Sequence, residues 1–131
     1  MSEFRALGKR VTEFQGFDTF EVDGEVTQIE LTTDELTANC PVTGQPDFYE
    51  LHVVFQPNRL AIETKTFKLY IHSFRNEEAF AEALAARIAR DIKEATDCKH
   101  VHVLLKQQTR GGIRLSVTAT IPNHSEPGVQ S

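Results

Sequence analysis

The chain has 131 residues and a net charge of −5, because 19 Asp and Glu outnumber 14 Lys and Arg. This length suits one domain with a single core, and the acidic balance argues against a nucleic-acid partner, since a phosphate backbone attracts basic surfaces. No apolar run approaches the roughly 20 residues of a membrane-spanning helix, and the charged first residues do not resemble a signal peptide. Two cysteines are too few for a disulfide framework, so we expect a cytoplasmic protein with free thiols and no membrane contact.

The two ends of the chain differ from its middle. Residues 1–24 lack a clear period, and their spaced phenylalanines predict an arm that lies across a core or across a neighbouring subunit. Residues 123–131 carry Pro127, Gly128 and polar side chains, which is typical of a flexible tail. Residues 25–122 are therefore predicted to form the single folded domain.

The first half of this domain predicts two strands and a helix. Val26–Thr32 is predicted to be a strand, and Phe48–Gln56 alternates apolar and polar side chains, which predicts a second one. The apolar side chains of Thr66–Phe74 recur at helical spacing. Asn76 is predicted to cap another, longer helix, because two glutamates follow it where the helix dipole favours negative charge.

The second half predicts that longer helix and two more strands. The helix carries an apolar stripe formed by Phe80, Leu84, Ile88 and Ile92. Val101–Leu105 alternates, and so does Ile113–Ile121 after a turn at Gly111-Gly112. The order ββααββ predicts an α+β fold, a four-stranded antiparallel sheet with two helices on one face. Such a sheet has two open edges, so pairing between copies is predicted to close a barrel in a homo-oligomer.

The most informative segment runs from Asn39 to Phe48. It holds Cys40 in a stretch punctuated by prolines and a glycine, with Asp47 seven residues later. A thiol in an irregular loop is a candidate nucleophile, and a nearby carboxyl group could protonate an atom that gains charge. The alternative is an inert buried thiol beside a carboxylate that only stabilises a turn. Cys98, at the end of the long helix, is interpreted as structural.

Other charged residues carry weaker signals. Glu63–Tyr70 combines an acid and two lysines at a helix start, which favours either a solvated helix end or an anion site. It contains no Gly-x-Gly-x-x-Gly, so a Rossmann mode of dinucleotide binding is excluded. Glu82 is either a surface carboxylate or an acceptor for two donors of a flat heterocycle. The five histidines lack zinc-ligand spacing, so no metal is expected.

Four motifs stand in order along the chain. They are Asn39-Cys40-Pro41-x-Thr43-Gly44-Gln45-Pro46-Asp47-Phe48, Glu63-x-Lys65-x-x-Lys68-x-Tyr70, Ser73-Phe74-Arg75-Asn76 and Arg110-Gly111-Gly112. Together they resemble the QueF nitrile reductases of the short, unimodular type. The resemblance implies the tunnelling fold (T-fold) in a ring assembly, pentameric or decameric. It also implies reduction of 7-cyano-7-deazaguanine to 7-aminomethyl-7-deazaguanine with NADPH, in the biosynthesis of the tRNA nucleoside queuosine.

The same resemblance implies roles for individual residues. Cys40 matches the nucleophile that adds to the nitrile carbon and gives a thioimide, and Asp47 matches the acid that protonates the nitrile-derived nitrogen. Substrate binding is implied for Glu82, Glu63 and Phe80. Cofactor binding is implied for Glu63, Lys65, Lys68, Tyr70 and Arg110.

One departure from the family pattern is Ala81, where a histidine usually precedes the substrate glutamate. Two alternative functions stay open. A QueF-like amidinotransferase would use ammonia on a nitrile already in tRNA, although such relatives lack the NADPH motif that is present here. A catalytically weakened ring protein would only bind a purine or a pterin, and Ala81 is the feature that favours it.

Overall fold

The computed structural model describes residues 13–123. They form the strands β1 (Thr19–Glu21), β2 (Ile29–Asn39), β3 (Pro46–Gln56), β4 (Leu60–Ile62), β5 (His100–Arg110) and β6 (Ile113–Ile121). The α-helices are α1 (Thr64–His72) and α2 (Ala81–Thr96), and a short 3-10 helix, Ser73–Asn76, follows α1 directly. The order of the long elements, β2-β3-α1-α2-β5-β6, confirms the predicted order.

The main sheet has four antiparallel strands in the order β2-β3-β5-β6. Leu51, Val53 and Phe55 of β3 are fully buried, whereas the side chains between them keep some exposure. On the neighbouring strand, Val101 lies opposite Phe55 and Val103 lies opposite Val53, so the apolar side chains meet on one face. Both helices pack on the sheet, α1 against β2 and α2 against β5 and β6. The predicted α+β arrangement is confirmed.

Helix α2 supplies the largest helical part of the core. Its side chains at Leu84, Ile88 and Ile92 recur every four residues, and each is at most 1% exposed. Phe80 was predicted to belong to this stripe, but it precedes the first turn and is 54% exposed. The helix ends at Thr96, and its C-cap residue, Asp97, adopts the left-handed conformation with a φ of 50°.

The turn between β5 and β6 is the predicted two-residue turn. Arg110 and Ile113 pair across it, and the two glycines between them have φ angles of 59° and 76°. Two consecutive positive φ angles match the twist of a hairpin, and glycine adopts them without a steric cost. The turn therefore fixes Arg110 at the end of β5.

A second sheet pairs β1 with β4, and the sequence analysis missed it. Strands of three residues are too short to show a period of two. β1 lies in the predicted arm, and the rings of Phe14 and Phe17 lie 5.2 and 4.7 Å from the ring of Tyr70. The described part of the arm thus packs on its own chain. Residues 1–12 of the arm, and residues 124–131 of the predicted tail, lie outside the described residues.

The predicted bounds of the first long strand are wrong. The prediction was Val26–Thr32, whereas β2 runs from Ile29 to Asn39. Its pairing with β3 shifts between Thr33 and Leu36, and such a bulge interrupts the alternation on which the prediction depended. The correct end of β2 matters, because the strand reaches Asn39 and Cys40 of the loop follows directly.

Two predicted helix starts are also wrong. α1 begins at Thr64, because the Glu63 side chain accepts hydrogen bonds from the first turn and caps the helix. Asn76 does not cap α2, since it ends the 3-10 helix and the next residues are extended. α2 begins only at Ala81, so the two glutamates after Asn76 precede the helix.

Strands β2 and β6 are the edges of the main sheet within residues 13–123. Closure of a barrel by pairing of these edges between copies stays a prediction. In the described part of the chain, none of the helices is both long enough and apolar enough to cross a membrane.

Candidate active site

The loop between β2 and β3 presents Cys40 at one end of the main sheet. Asn39 pairs with Pro46 at the end of the two strands, so the loop begins at Cys40. The Cys40 N–H donates to the Gln45 carbonyl, and the Gly44 N–H donates to the Cys40 carbonyl, both at 2.8 Å. Gly44 has a φ of 71°, a conformation that favours glycine. The thiol is therefore held in a closed loop, as predicted, and it is partly exposed.

Hydrogen bonds within the loop lower the pKa of the Cys40 thiol below its usual value of 9.0. The largest contribution comes from the Thr43 backbone N–H, followed by the Thr43 hydroxyl and the Val42 backbone N–H. These donors stabilise the thiolate, whereas desolvation and the charge of Asp47 oppose its formation. A lowered pKa increases the thiolate fraction at neutral pH, which suits a nucleophile.

Asp47 is the buried carboxyl group of the site. It is 6% exposed, and it lies in β3 directly after Pro46. Arg110, at the end of β5, donates a hydrogen bond to its carboxylate and forms an ion pair with it. A buried carboxylate needs such a partner, because an unpaired charge is costly away from water. Arg110, which the resemblance assigned to cofactor binding, thus contacts the predicted acid.

The segment that leads into α2 is tied to the cysteine loop. The Asn39 N–H donates to the Glu77 carbonyl at 2.8 Å, and the Ala79 N–H donates to the Asn39 carbonyl at 3.1 Å. Asn39 directly precedes Cys40 in the chain. These two hydrogen bonds therefore fix the start of α2 beside the thiol.

The predicted substrate residues on α2 lie at this same end of the sheet. Phe80 stands at the cap position and exposes 54% of its surface, while Glu82 is exposed in the first turn. Ala81 between them is 3% exposed and packs into the core. The structure therefore brings together Cys40, Asp47 and the exposed start of α2.

Tyr49 has no predicted function from the sequence, where it is one position of the alternating segment Phe48–Gln56. Its side chain is 3% exposed, yet its hydroxyl has no hydrogen-bond partner. Burial raises the pKa of Tyr49 to about 12, and nearby negative charges act in the same direction. Those charges are, in decreasing order of effect, Asp47, Cys40 and Glu82. The available signal was the period of two, which puts Tyr49 on the same strand face as Asp47.

Glu63 has a structural role at the start of α1. Its carboxylate accepts hydrogen bonds from the N–H groups of Lys65 and Thr66, both at 2.9 Å. Its own N–H donates to the Asp18 carbonyl at 2.8 Å, which joins the arm to the helix. The resemblance implied substrate and cofactor contacts for this residue. In the structure, Glu63 is the N-cap residue of α1.

The predicted cofactor residues on α1 lie on different sides of the helix. Lys68 lines a cavity of about 490 Å³ between β2 and α1. Tyr70 lines another cavity, of about 520 Å³, beside the arm and α2, and its hydroxyl donates to Asp91 at 2.7 Å. Residues three apart share a helix face, so Lys65 and Lys68 can act together. Tyr70, two positions further, belongs to the core side.

Cys98 is fully buried within the hydrophobic core. This placement agrees with the structural role predicted for it. Among residues 13–123, no three His, Cys, Asp or Glu side chains are arranged to hold a metal ion.

Fold and site together define an α+β protein whose partly exposed thiol and nearby buried carboxyl group suit covalent chemistry. A family model described as QueF-like protein matches residues 46–126. Three curated relatives carry the name NADPH-dependent 7-cyano-7-deazaguanine reductase. The protein of Methylobacillus flagellatus is 39% identical over 88% of this chain and 83% of its own, and that of Frankia casuarinae is 35% identical over 81% and 85%. That of Nitrosospira multiformis is 42% identical over 70% and 66%. The chain belongs to the QueF family.

A solved structure supports the fold. The crystal structure of the archaeosine synthase QueF-Like in the apo form is similar to this chain with a TM-score of 0.68 and 26% identity. The match covers 72% of this chain and 92% of that one. The family predicted from four sequence motifs is therefore confirmed.

Proposed function

We propose that this protein is an NADPH-dependent 7-cyano-7-deazaguanine reductase that works through a thioimide on Cys40. The observation that carries the proposal is the meeting of a partly exposed thiol, whose pKa is lowered, with the buried Asp47 where α2 begins. The names of the curated relatives support the substrate and the cofactor. The product would enter the synthesis of the tRNA nucleoside queuosine.

The first step is the addition of Cys40 to the nitrile. A nitrile is a poor hydride acceptor, so its carbon must first be activated. The thiolate of Cys40 forms a carbon–sulfur bond, one π pair of the nitrile moves to nitrogen, and Asp47 delivers the proton that this nitrogen takes up. The product is a neutral thioimide, because the proton balances the negative charge of the thiolate.

The later steps return the thiol. NADPH, when bound, would supply one hydride to the thioimide carbon and, from a second molecule, one to the carbon of the imine formed afterwards, and the nitrogen would take up one proton from solvent with each hydride. Between these reductions the carbon–sulfur bond breaks, and its electron pair returns to Cys40 as thiolate. The lowered pKa of Cys40 therefore favours both roles, because it makes the sulfur a populated nucleophile and a better leaving group.

The start of α2 is proposed to hold the deazaguanine ring. The exposed ring of Phe80 offers a face on which a flat heterocycle can stack. The Glu82 carboxylate can accept from an amino group and a ring N–H, and a ligand that lacks either donor leaves part of the charge unpaired. Glu63 would support the pocket indirectly, by fixing α1.

The basic residues of α1 are proposed to bind the cofactor. Lys65 and Lys68 suit its phosphate groups, and Lys68 lines a cavity that fits a ligand group. The lining residue of that cavity nearest to Cys40 along β2 is Glu35, four residues before Asn39. Four residues of a strand span about 13 Å, so the cavity and Cys40 of one chain are separated. This separation favours a site shared between subunits.

We therefore infer a homo-oligomer with the tunnelling fold, in which the β2 and β6 edges pair between copies. Light scattering after gel filtration should give a ring-sized multiple of the 14.8 kDa chain. A fully active monomer at the assay concentration would contradict the shared site.

Arg110 is proposed to move between two partners. In the structure it is paired with Asp47. A cofactor phosphate is an alternative partner for a guanidinium group. Its binding would release the Asp47 carboxylate, which could then take up the proton of the Cys40 thiol and pass it to the nitrile-derived nitrogen. Cofactor entry would thus be linked to the chemistry. Tyr70 would support the cofactor site indirectly, because it packs α1 against the core.

The test is a two-stage assay with 7-cyano-7-deazaguanine. Intact mass spectrometry should show a covalent adduct, and peptide mapping should locate it on Cys40. Addition of NADPH should then discharge the adduct, with two NADPH consumed for each aminomethyl product. The absence of an adduct would overturn the proposal and favour a protein that only binds a purine or a pterin.

A second candidate is an amidinotransferase, which the structural neighbour named as an archaeosine synthase favours. It would form the same adduct but release it with ammonia rather than with NADPH, on nitrile-bearing tRNA. The net charge of −5 suits a tRNA substrate poorly. An adduct that NADPH does not discharge would support this candidate over the reductase.

A further inference from the structure

We propose that the Tyr49 hydroxyl forms a hydrogen bond to the substrate nitrogen that derives from the nitrile. The side chain is buried, its hydroxyl is unpaired, and it lies two residues after Asp47 on the same face of β3. The inference rests on the proposed function, because it adds a residue to the same site.

The unpaired hydroxyl is unfavourable for the folded protein. Within residues 13–123, it is the only buried side-chain nitrogen or oxygen that lacks a hydrogen-bond partner. A phenylalanine would fill nearly the same space without leaving a buried polar atom unpaired, so stability does not account for the tyrosine. A ligand that completes the hydrogen bond does account for it.

The position of the hydroxyl indicates which part of the ligand it meets. Tyr49 follows Asp47 by two residues on the same face of β3, and Asp47 pairs across the sheet with Ala38, two residues before Cys40. The hydroxyl therefore lies on the face of the acid, at the end of the sheet where the loop holds the thiol. The atom between thiol and acid in the proposed chemistry is the nitrile-derived nitrogen.

A neutral hydroxyl suits this nitrogen at each stage of the reaction. With a pKa raised to about 12, Tyr49 keeps its proton at neutral pH. Its O–H can donate to the lone pair of the nitrile nitrogen, and its oxygen can accept from the N–H of the protonated thioimide. Tyr49 transfers no proton in this scheme, since Asp47 does so. It contacts the reacting group and holds it toward Asp47.

The test is the substitution Tyr49→Phe, studied beside the wild-type protein. We expect the adduct to form more slowly and kcat to fall about 10²- to 10³-fold, as when one preorganised donor is lost, with KM little changed. The Tm should stay equal or rise, because the variant removes an unpaired polar atom. This combination separates a contact with the reacting group from a role in folding.

The matched control for stability is Tyr70→Phe, since that hydroxyl is paired with Asp91 and its loss should lower Tm. Wild-type kcat in Tyr49→Phe would overturn the inference while leaving the proposed function intact. A lower Tm in Tyr49→Phe, with or without a lower kcat, would indicate a bond within the folded chain and would also overturn it. A wild-type protein that forms no adduct would instead refute the proposed function, and this inference with it.

Discussion

The two tyrosines of this chain are equally buried, but their hydroxyls differ. Tyr49 and Tyr70 are each 3% exposed. The Tyr70 hydroxyl donates to Asp91 at 2.7 Å, and its ring packs against Phe17 and Phe74 at 4.7 and 5.0 Å. The Tyr49 hydroxyl has no partner. Equal burial therefore does not mean an equal role, because only one of the two hydroxyls contributes a hydrogen bond to the fold.

The residues that surround Tyr49 and Tyr70 also differ. Around Tyr70, the arm covers the core and Glu63 satisfies the first N–H groups of α1. Around Tyr49 lie a thiol with a lowered pKa and an ion pair between the buried Asp47 and the exposed Arg110. The first region stabilises the chain, and the second is the region where we propose that the ligand binds. Matched substitutions in the two regions should therefore have opposite effects on activity and stability.

The largest effect is expected from the two cysteines. Cys40→Ala should abolish the adduct and lower turnover by at least about 10³-fold, because no other group replaces the nucleophile. Cys98→Ala should keep the adduct, since Cys98 is fully buried in the core. Adduct mass and NADPH consumption measure both variants. Loss of the adduct in Cys98→Ala would mean that the nucleophile is assigned to the wrong cysteine.

The next largest effect is expected from the buried Asp47, for which the partly exposed Asp91 is the comparison. Asp47→Asn should slow thioimide formation by about 10²- to 10⁴-fold, the usual range for a lost general acid. The same change at Asp91 should lower Tm, because it weakens the bond to Tyr70, but should leave the rate of adduct formation near wild type. Stopped-time mass spectrometry gives the rates. An unchanged rate in Asp47→Asn would exclude this carboxyl group as the proton donor.

A smaller effect is expected on the pH dependence of the thiol. Alkylation of Cys40 by iodoacetamide should increase with pH as thiolate forms, with a midpoint below 9.0, because the loop lowers its pKa. Thr43→Val removes the second-largest cause of this shift, so the midpoint should move to higher pH. The backbone N–H of residue 43 remains, so the shift should be partial. Cys98 should stay unmodified in the folded protein, and an unchanged midpoint in Thr43→Val would contradict the assigned cause.

The smallest effect is expected at Tyr70. Tyr70→Phe removes a hydrogen bond to a carboxylate, which should lower the free energy of unfolding by about 1.5–3 kcal/mol. Urea unfolding measures the change, and Tyr49→Phe is the comparison. If both variants were destabilised equally, the difference between the two hydroxyls would not exist in solution.

The main sheet could be predicted because its signal is local. Strands β3 and β5 alternate over 11 residues each, and a sheet with one buried face requires that period. β1 and β4 were missed because three residues show no period. The cap at Asn76 was predicted wrongly, because the chain pairs with Asn39 after that residue rather than starting α2. A tertiary contact overrode a local preference there.

Part of the candidate site could also be predicted from local patterns, and part could not. The loop that holds Cys40 was predicted from its prolines and glycine, and Asp47 follows within the same motif. The contact of Arg110 with Asp47 joins residues 63 positions apart, so no local pattern could show it. Glu63 and Tyr70 belong to a sequence motif that predicted binding. In the structure, Glu63 caps α1, and the Tyr70 hydroxyl donates to Asp91.

The sequence by itself determined the order of the long strands and helices, the family and the loop of the thiol, because these are predicted from patterns of residues that are close together in the chain. Only the tertiary structure decided which acid meets which base and which of two buried hydroxyls has a partner. Such hydrogen bonds form between elements that are distant in sequence, and their geometry depends on how those elements pack.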